Sequence, residues 1–272
     1  MSILNKIIFS IFILLFITAY FIEPNRLVTK SLTVSTPYWN KDLSGYKIAV
    51  VSDLHIGSRH VDLKKLHRVI QELNSLDADL TVILGDFDAL LIEASQVAQD
   101  EIIKEFKSIK SPQGSIAVLG NHDYEPDGVV KRILTESNIT LLENQKHKIN
   151  YKNSSFTIVG FKDWWNATYE PDEIIGDNTT PTIVLSHNPD VFPLIHKPVA
   201  LTLSGHTHGG EVRFPLIGAP HVPSKYGQKY AKGLFIENSN TLFVTSGVGS
   251  LSRLRFLNPP EVVSITLIQE KE

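Results

Sequence analysis

The 272-residue chain has no cysteine, which excludes disulfides, thiolate nucleophiles, zinc ribbons and iron–sulfur centres. It also lacks an excess of basic residues. Twenty-six Lys and Arg against 29 Asp and Glu leave a net charge of −3, too weak a positive field to hold nucleic acid by counterion release. No internal repeat, low-complexity tract or linker long enough to set off a second soluble domain occurs. An apolar fraction of 42% supplies a buried core and excludes disorder as the main state. The chemistry has to come from His, Asp, Asn and Ser.

Long hydrophobic runs are scarce too, with one exception. Residues 7–22, IIFSIFILLFITAYFI, carry no charge and follow Lys6. A spanning helix needs roughly 17–25 apolar residues, a length this run meets if its flanks snorkel. Thr18-Ala19-Tyr20 is a poor small-x-small cleavage site, which favours an uncleaved single-pass anchor over a signal peptide. Only Lys6 precedes the run, whereas Arg26, Lys30 and Lys41 follow it, a bias that leans the remainder toward the cytoplasm. The expected organisation is a membrane anchor over 1–25, a polar connector over 26–45 and one domain over 46–272.

Within that domain short β-rich runs alternate with helical patterns, the signature of an α/β layered fold. Residues 62–76 place Leu63, Leu66, Ile70 and Leu73 on one helical face, with Asp62 positioned to cap it. A second amphipathic stretch covers 92–109, with Ile102, Ile103 and Phe106 as its stripe. From about residue 140 strands predominate.

Five apolar runs end in a potential metal ligand. Ile48–Val51 leads to Asp53 and His55, Leu80–Leu84 to Gly85-Asp86, and Ile116–Leu119 to Gly120-Asn121-His122-Asp123. Ile183–Leu185 leads to His187, and Leu201–Leu203 to Gly205-His206-Thr207-His208. A single Gly-Asp is an ordinary turn, and a single buried His an ordinary core residue. Five coincidences are neither, because the carboxyl ends of strands in α/β sheets are where ligands bind. Oxygen and imidazole donors without thiolate suit Mn, Fe or Zn. About seven donors exceed one tetrahedral site and suit two divalent ions sharing a carboxylate, an arrangement that clamps phosphate oxygens for in-line displacement.

These motifs, in this order, resemble the calcineurin-like metallophosphoesterase family across residues 46–267. Ser204–Pro215 and the string Arg255-Phe256 with Pro259-Pro260-Glu261 further resemble a bacterial subgroup of membrane-associated phosphodiesterases and UDP-2,3-diacylglucosamine hydrolases. The resemblance implies a two-sheet β-sandwich flanked by α-helices and two divalent ions, with manganese the first choice. It implies Asp53, His55 and His208 on one ion, Asn121, His187 and His206 on the other, and Asp86 on both. His122 would stand at the leaving-group oxygen, with Asp123 orienting it and raising its pKa. The function implied is a phosphodiesterase or pyrophosphatase at a bacterial inner membrane, acting on a lipid-linked phosphate such as UDP-2,3-diacylglucosamine, in lipid A biosynthesis. A phosphomonoesterase or protein phosphatase would use the same cluster, and a non-catalytic binding protein could share the fold. One departure is Ala89, where the family usually carries a carboxylate, with Asp88 one place earlier.

Further candidates are weaker. Arg59, His60 and Arg213 could reach substrate, and Arg253 and Arg255 with Leu254 and Phe256 could form a patch for lipid head groups. Trp164-Trp165 reads as a core plug in preference to an interfacial pair. His67 and His196 read as surface or packing residues. Substrate specificity is expected from segments 88–111 and 163–178.

Overall fold

The apolar runs fold as two six-stranded sheets. The computed structural model describes residues 2–88, 96–250 and 252–270. In chain order, β1 (Val28–Thr36), β2 (Tyr46–Val51), β3 (Leu80–Ile83), β4 (Ser115–Ala117) and β5 (Thr140–Leu141) belong to the first sheet. β6 (Gln145–Tyr151), β7 (Ser154–Gly160), β8 (Thr182–Leu185), β9 (Leu201–Ser204), β10 (Gly233–Glu237) and β11 (Asn240–Val244) make the second, and β12 (Glu261–Gln269) returns to the first. The orders are β1-β12-β2-β3-β4-β5 and β10-β11-β9-β8-β7-β6. Strands β2 to β5 run parallel, as do β7, β8, β9 and β11.

The central strands are apolar on both faces because both faces are covered. On β2, Ile48 and Val50 point between the sheets, where they meet Phe156, Ile158, Ile183 and Leu203. Their neighbours Ala49 and Val51 turn outward to the helices. Those helices are α2 (Leu63–Ser75), α3 (Gln96–Lys107) and α4 (Val129–Glu136), with α1 (Ile3–Ile17) preceding them and α5 (Pro171–Ile175) following. In α2, Leu66, Val69, Ile70 and Leu73 are buried, and the Asp62 carboxylate accepts from the Lys65 N–H at 2.8 Å. In α3, Ile102, Ile103 and Phe106 pack into the same cluster, while the expected start of that helix, from residue 92, lies outside the described residues. Within segment 88–111 the described residues 96–107 form this flanking helix.

Within residues 26–45, the expected connector, β1 pairs with β12 over nine positions, and Trp39 and Leu43 are fully buried. The signal was weak because β1, VTKSLTVST, is mostly polar, with few buried positions along it.

At the N-terminus α1 continues through a π turn (Thr18–Ile22) and a 3-10 turn (Glu23–Asn25), giving one 23-residue apolar helix. At 1.5 Å per residue it is roughly 34 Å long, matching a bilayer core. No residue of α1 is buried. Length and composition suit a membrane span or a signal sequence alike.

Removing the cap of α2 tests how much that helix depends on it. Asp62→Ala is expected to lower the unfolding free energy by about 1 kcal/mol in urea titrations, with the fold unchanged.

Candidate metal centre

All seven expected ligands lie just beyond the carboxyl ends of parallel strands, and the backbone there is unusual. Asp53 (φ 52°), His55 (44°), Asp86 (54°), His206 (68°) and His208 (51°) occupy the left-handed region. For side chains with a Cβ this costs on the order of 1 kcal/mol or more each, and it persists where the surroundings over-determine it. Two glycines provide the clearance. A Cβ on Gly120 would overlap the Asp86 carboxylate, and one on Gly205 would overlap Ser52 and Asp53.

The donors form two overlapping groups. Asp53, His55, Asp86 and His208 offer ligand atoms within 4.8 Å of one another, as do Asp86, His187 and His206. Asp86 is common to both, its Oδ2 lying 3.5 Å from His55 Nε2 and 3.3 Å from His187 Nε2. The Asp53 Oδ1 atom stands 3.5 Å from His208 Nε2. Asn121 sits beside them, with a buried Oδ1 that has no hydrogen-bond partner among the described residues.

Backbone carbonyls set the tautomers, because a carbonyl can only accept. The Nδ1–H of His55 donates to Asp88 O at 3.2 Å, that of His208 to Gly249 O at 3.2 Å, and that of His187 to Leu84 O at 2.6 Å. His55 and His208 then face each other Nε2 to Nε2 at 3.3 Å, lone pair toward lone pair. That contact is repulsive with nothing between and favourable around a cation, so the residues fit a metal.

Protonation agrees. Burial pulls His55 down to about 4 and His206 to about 3, so both are neutral and able to ligate. Burial acts on His187 in the same direction, but the Asp86 carboxylate outweighs it by attraction and hydrogen bonding, raising His187 to about 10. Desolvation pushes Asp86 up, and His187 more than offsets it, leaving Asp86 well below the usual carboxylate range. In the metal-free chain the His187 proton therefore supplies positive charge that metal would replace.

Asp123 departs from the expected role. Its carboxylate accepts from the backbone N–H groups of Asp86, Phe87, Asp88 and Gly120, at 2.7 to 3.1 Å. With both oxygens used on amides, it fastens the loop after β3 to the loop after β4 and does not orient the His122 ring. Burial, then the neighbouring Asp86, pushes the Asp123 carboxyl up to about 8, against the pull of those amides. His122 is exposed and lines the cleft, its ring centroid 5.4 Å from that of His55, and its N–H donates to Asp86 Oδ1 at 3.0 Å.

The cleft over the cluster has a volume of about 520 Å³. Beyond the ligands its walls include Gly210, Glu211, Val212, Pro220, His221, Pro223, Ser252, Leu254 and Trp165, and none of the described residues of segment 88–111 is among them. Trp165 is corrected: it is 57% exposed and meets the His206 ring edge-on at 4.4 Å, while Trp164 packs inward on Tyr169. Arg59, His60 and Arg213 do not line this cleft. Arg59 lies over the Tyr20 ring, His60 Nε2 meets Arg253 O at 3.2 Å, and Arg213 donates to Gly209 O at 2.9 Å. Arg255 is fully buried and not a lipid contact, its guanidinium donating to Ser246, Gly249 and Asn258 carbonyls. His67 and His196 pair with Glu105 and Asp172 at the surface. Ala89 lies outside the described residues.

The family model described as Calcineurin-like phosphoesterase matches residues 46–210. The chain is 30% identical to the uncharacterized metallophosphoesterase YkuE of Bacillus subtilis, over 92% of this chain and 88% of that protein. It is 31% identical to the phosphodiesterase YaeI of Escherichia coli, over 85% of each. It is 28% identical to the UDP-2,3-diacylglucosamine pyrophosphatase LpxG of Chlamydia trachomatis, over 95% and 94%.

Two outcomes follow from this geometry. Asp86→Asn, which removes the carboxylate common to both groups, should abolish retention of a metal pair in elemental analysis while leaving circular dichroism unchanged. Because His187 is raised and holds its proton at neutral pH, metal loading there should release about one proton per chain, and affinity should fall as pH falls. Calorimetry in buffers of different ionisation enthalpy reads both.

Proposed function

Because the chain belongs to the calcineurin-like phosphoesterase family, we propose that it is a two-metal phosphodiesterase or pyrophosphatase acting on a lipid-linked phosphate at a membrane surface. As a member of that family it is a hydrolase of phosphoester bonds. The observation that carries the finer reading is the sharing of Asp86 between two donor groups at the floor of one cleft.

In this reading Asp53, His55 and His208 hold one ion, Asn121, His187 and His206 the other, and Asp86 both. The Asp/His/Asn donor set favours manganese, with iron or zinc as alternatives. Two ions so held would polarise the phosphoryl group and lower the pKa of water, turning it into a nucleophile at neutral pH. The protein's own residues do the rest. His122, held by its backbone bond to Asp86, gives a proton or a hydrogen bond to the departing oxygen. Asp123 keeps Asp86 and the His122 loop at fixed separation through the four amides it binds. Val212, Leu254, Pro220 and Pro223 give the cleft apolar lining, which suits an amphiphilic substrate.

The lipid-linked substrate is supported by that apolar lining, by the N-terminal helix and by the similarity to LpxG, whose name specifies UDP-2,3-diacylglucosamine. Read as a span, the helix with its following Arg26, Lys30 and Lys41 sets the domain on the cytoplasmic face of a bacterial inner membrane.

With manganese, the purified chain should hydrolyse bis-p-nitrophenyl phosphate. His122→Ala should lose roughly 10²–10⁴-fold in turnover while keeping its metal. Undiminished turnover would remove His122 from the chemistry. Incubation with UDP-2,3-diacylglucosamine should yield UMP and the acyl-sugar phosphate by mass spectrometry. Monoesters cleaved faster than diesters would turn the assignment to a phosphatase.

A further inference from the structure

The foot of the N-terminal helix is set into the domain. The Arg255 N–H donates to Ala19 O at 2.9 Å, and Lys65 Nζ donates to Pro24 O at 3.2 Å. The Arg59 guanidinium lies 4.9 Å over the Tyr20 ring, which meets the His60 ring at 6.0 Å. The last apolar turn, Thr18–Ile22, is therefore level with the domain surface, and Phe21 and Ile22 remain exposed beside it.

The segment that grips the helix continues into the wall of the cleft. One residue beyond Arg255, the Phe256 carbonyl accepts from the Arg213 N–H at 2.9 Å, and Phe256 N–H donates to Glu211 O at 3.1 Å. This bridge sets Val212, at the base of the turn Phe214–Gly218, about one strand spacing, roughly 5 Å, from Phe256 in the segment bound to the helix. Residues on either side of that turn, Val212 and Pro220, line the cleft.

The turn presents apolar side chains to the outside. Leu216 is fully exposed, Ile217 is 67% exposed, and Phe214 and Leu257 are exposed beside them. Leu216 (φ 71°) and Leu257 (φ 52°) also adopt the left-handed backbone that bulky residues avoid. Strain and water exposure together disfavour a leucine, and cover from outside the chain would remove the exposure term. The exposed Arg59, Arg68 and Arg253 stand at the same foot, Arg59 over Tyr20, Arg68 donating to Asn25 O and Arg253 O meeting His60, while Arg26 pairs with Glu23.

We propose that the turn Phe214–Gly218, with Leu257, is a second membrane contact that dips into the head-group layer of an anionic phospholipid bilayer. Its base pairs with the segment that binds the helix foot, and the arginines at that foot match anionic head groups. The cleft mouth is thereby held at the bilayer surface, so that a phosphoester whose acyl chains stay in the membrane reaches Asp86 without being extracted. The proposal rests on the reading of the helix as a span.

The absence of native cysteine makes single-site labelling clean. Full-length Phe12→Cys, Ile217→Cys and Lys152→Cys proteins, each carrying an environment-sensitive fluorophore, would be placed in phosphatidylglycerol-containing nanodiscs with and without brominated lipid. Lys152 sits in the β6–β7 turn, at the end of β7 away from the cluster. The expected result is quenching at residues 12 and 217 and none at 152, with manganese-dependent diester hydrolysis intact in all three. Quenching at 12 without quenching at 217 would overturn the second contact and leave the span standing. No quenching at 12 would remove the span, and this inference with it.

Discussion

A carboxylate closed off from water beside imidazoles needs positive charge, and the architecture around Asp86 is built to that requirement. Asp86 is 1% exposed, and removing such an ion from water costs several kcal/mol before any partner is counted. In the metal-free chain the protonated His187 and the His122 N–H offset part of that cost. The neutral His55 and His206 offset little, because burial suppresses their charge. A cluster poised in this way gains most from cations, which serve Asp86, Asp53 and the opposed imidazole lone pairs at once.

Two buried side chains, a carboxyl and a guanidinium, hold the loops that present these donors. Asp123 gathers four amide N–H groups from the ends of β3 and β4, and Arg255 gathers three carbonyls from residues 246–258. Gly249 O accepts from both Arg255 and His208, so the guanidinium fixes a ligand's tautomer one step removed. The Arg255 backbone also binds Ala19, so the helix foot and the ligand position His208 are linked through three hydrogen bonds. Five left-handed residues in the cluster are tolerable because such anchors over-determine the loop conformation.

Much of this was readable without coordinates. Continuous apolar strands ending in Asp, Asn or His announced both the covered sheets and the gathering of donors at one edge, and the Asp62 cap and the stripes of α2 and α3 followed from helical spacing. The misreadings share a cause, since local pattern reports polarity and does not report neighbours. An arginine flanked by leucine and phenylalanine looks amphipathic and surface-bound, yet Arg255 is enclosed because three carbonyls left unpaired by irregular backbone need a donor there. Trp165 looks like core, yet it stands open over the cluster. The polar β1 looks like a connector, yet the free edge of β12 supplies its hydrogen bonds.

By itself the sequence determined which residue types could meet a metal, in what order they follow strands, and that one apolar segment of bilayer length precedes them, because periodicity and chemical type are properties of the chain. Only the tertiary structure decided the distances at which Asp86 meets both donor groups, that Asp123 serves the backbone and not the His122 ring, and that the wall of the cleft adjoins the segment holding the foot of the helix. Those are distances between segments far apart in sequence, and packing, hydrogen-bond saturation and backbone strain settle them jointly.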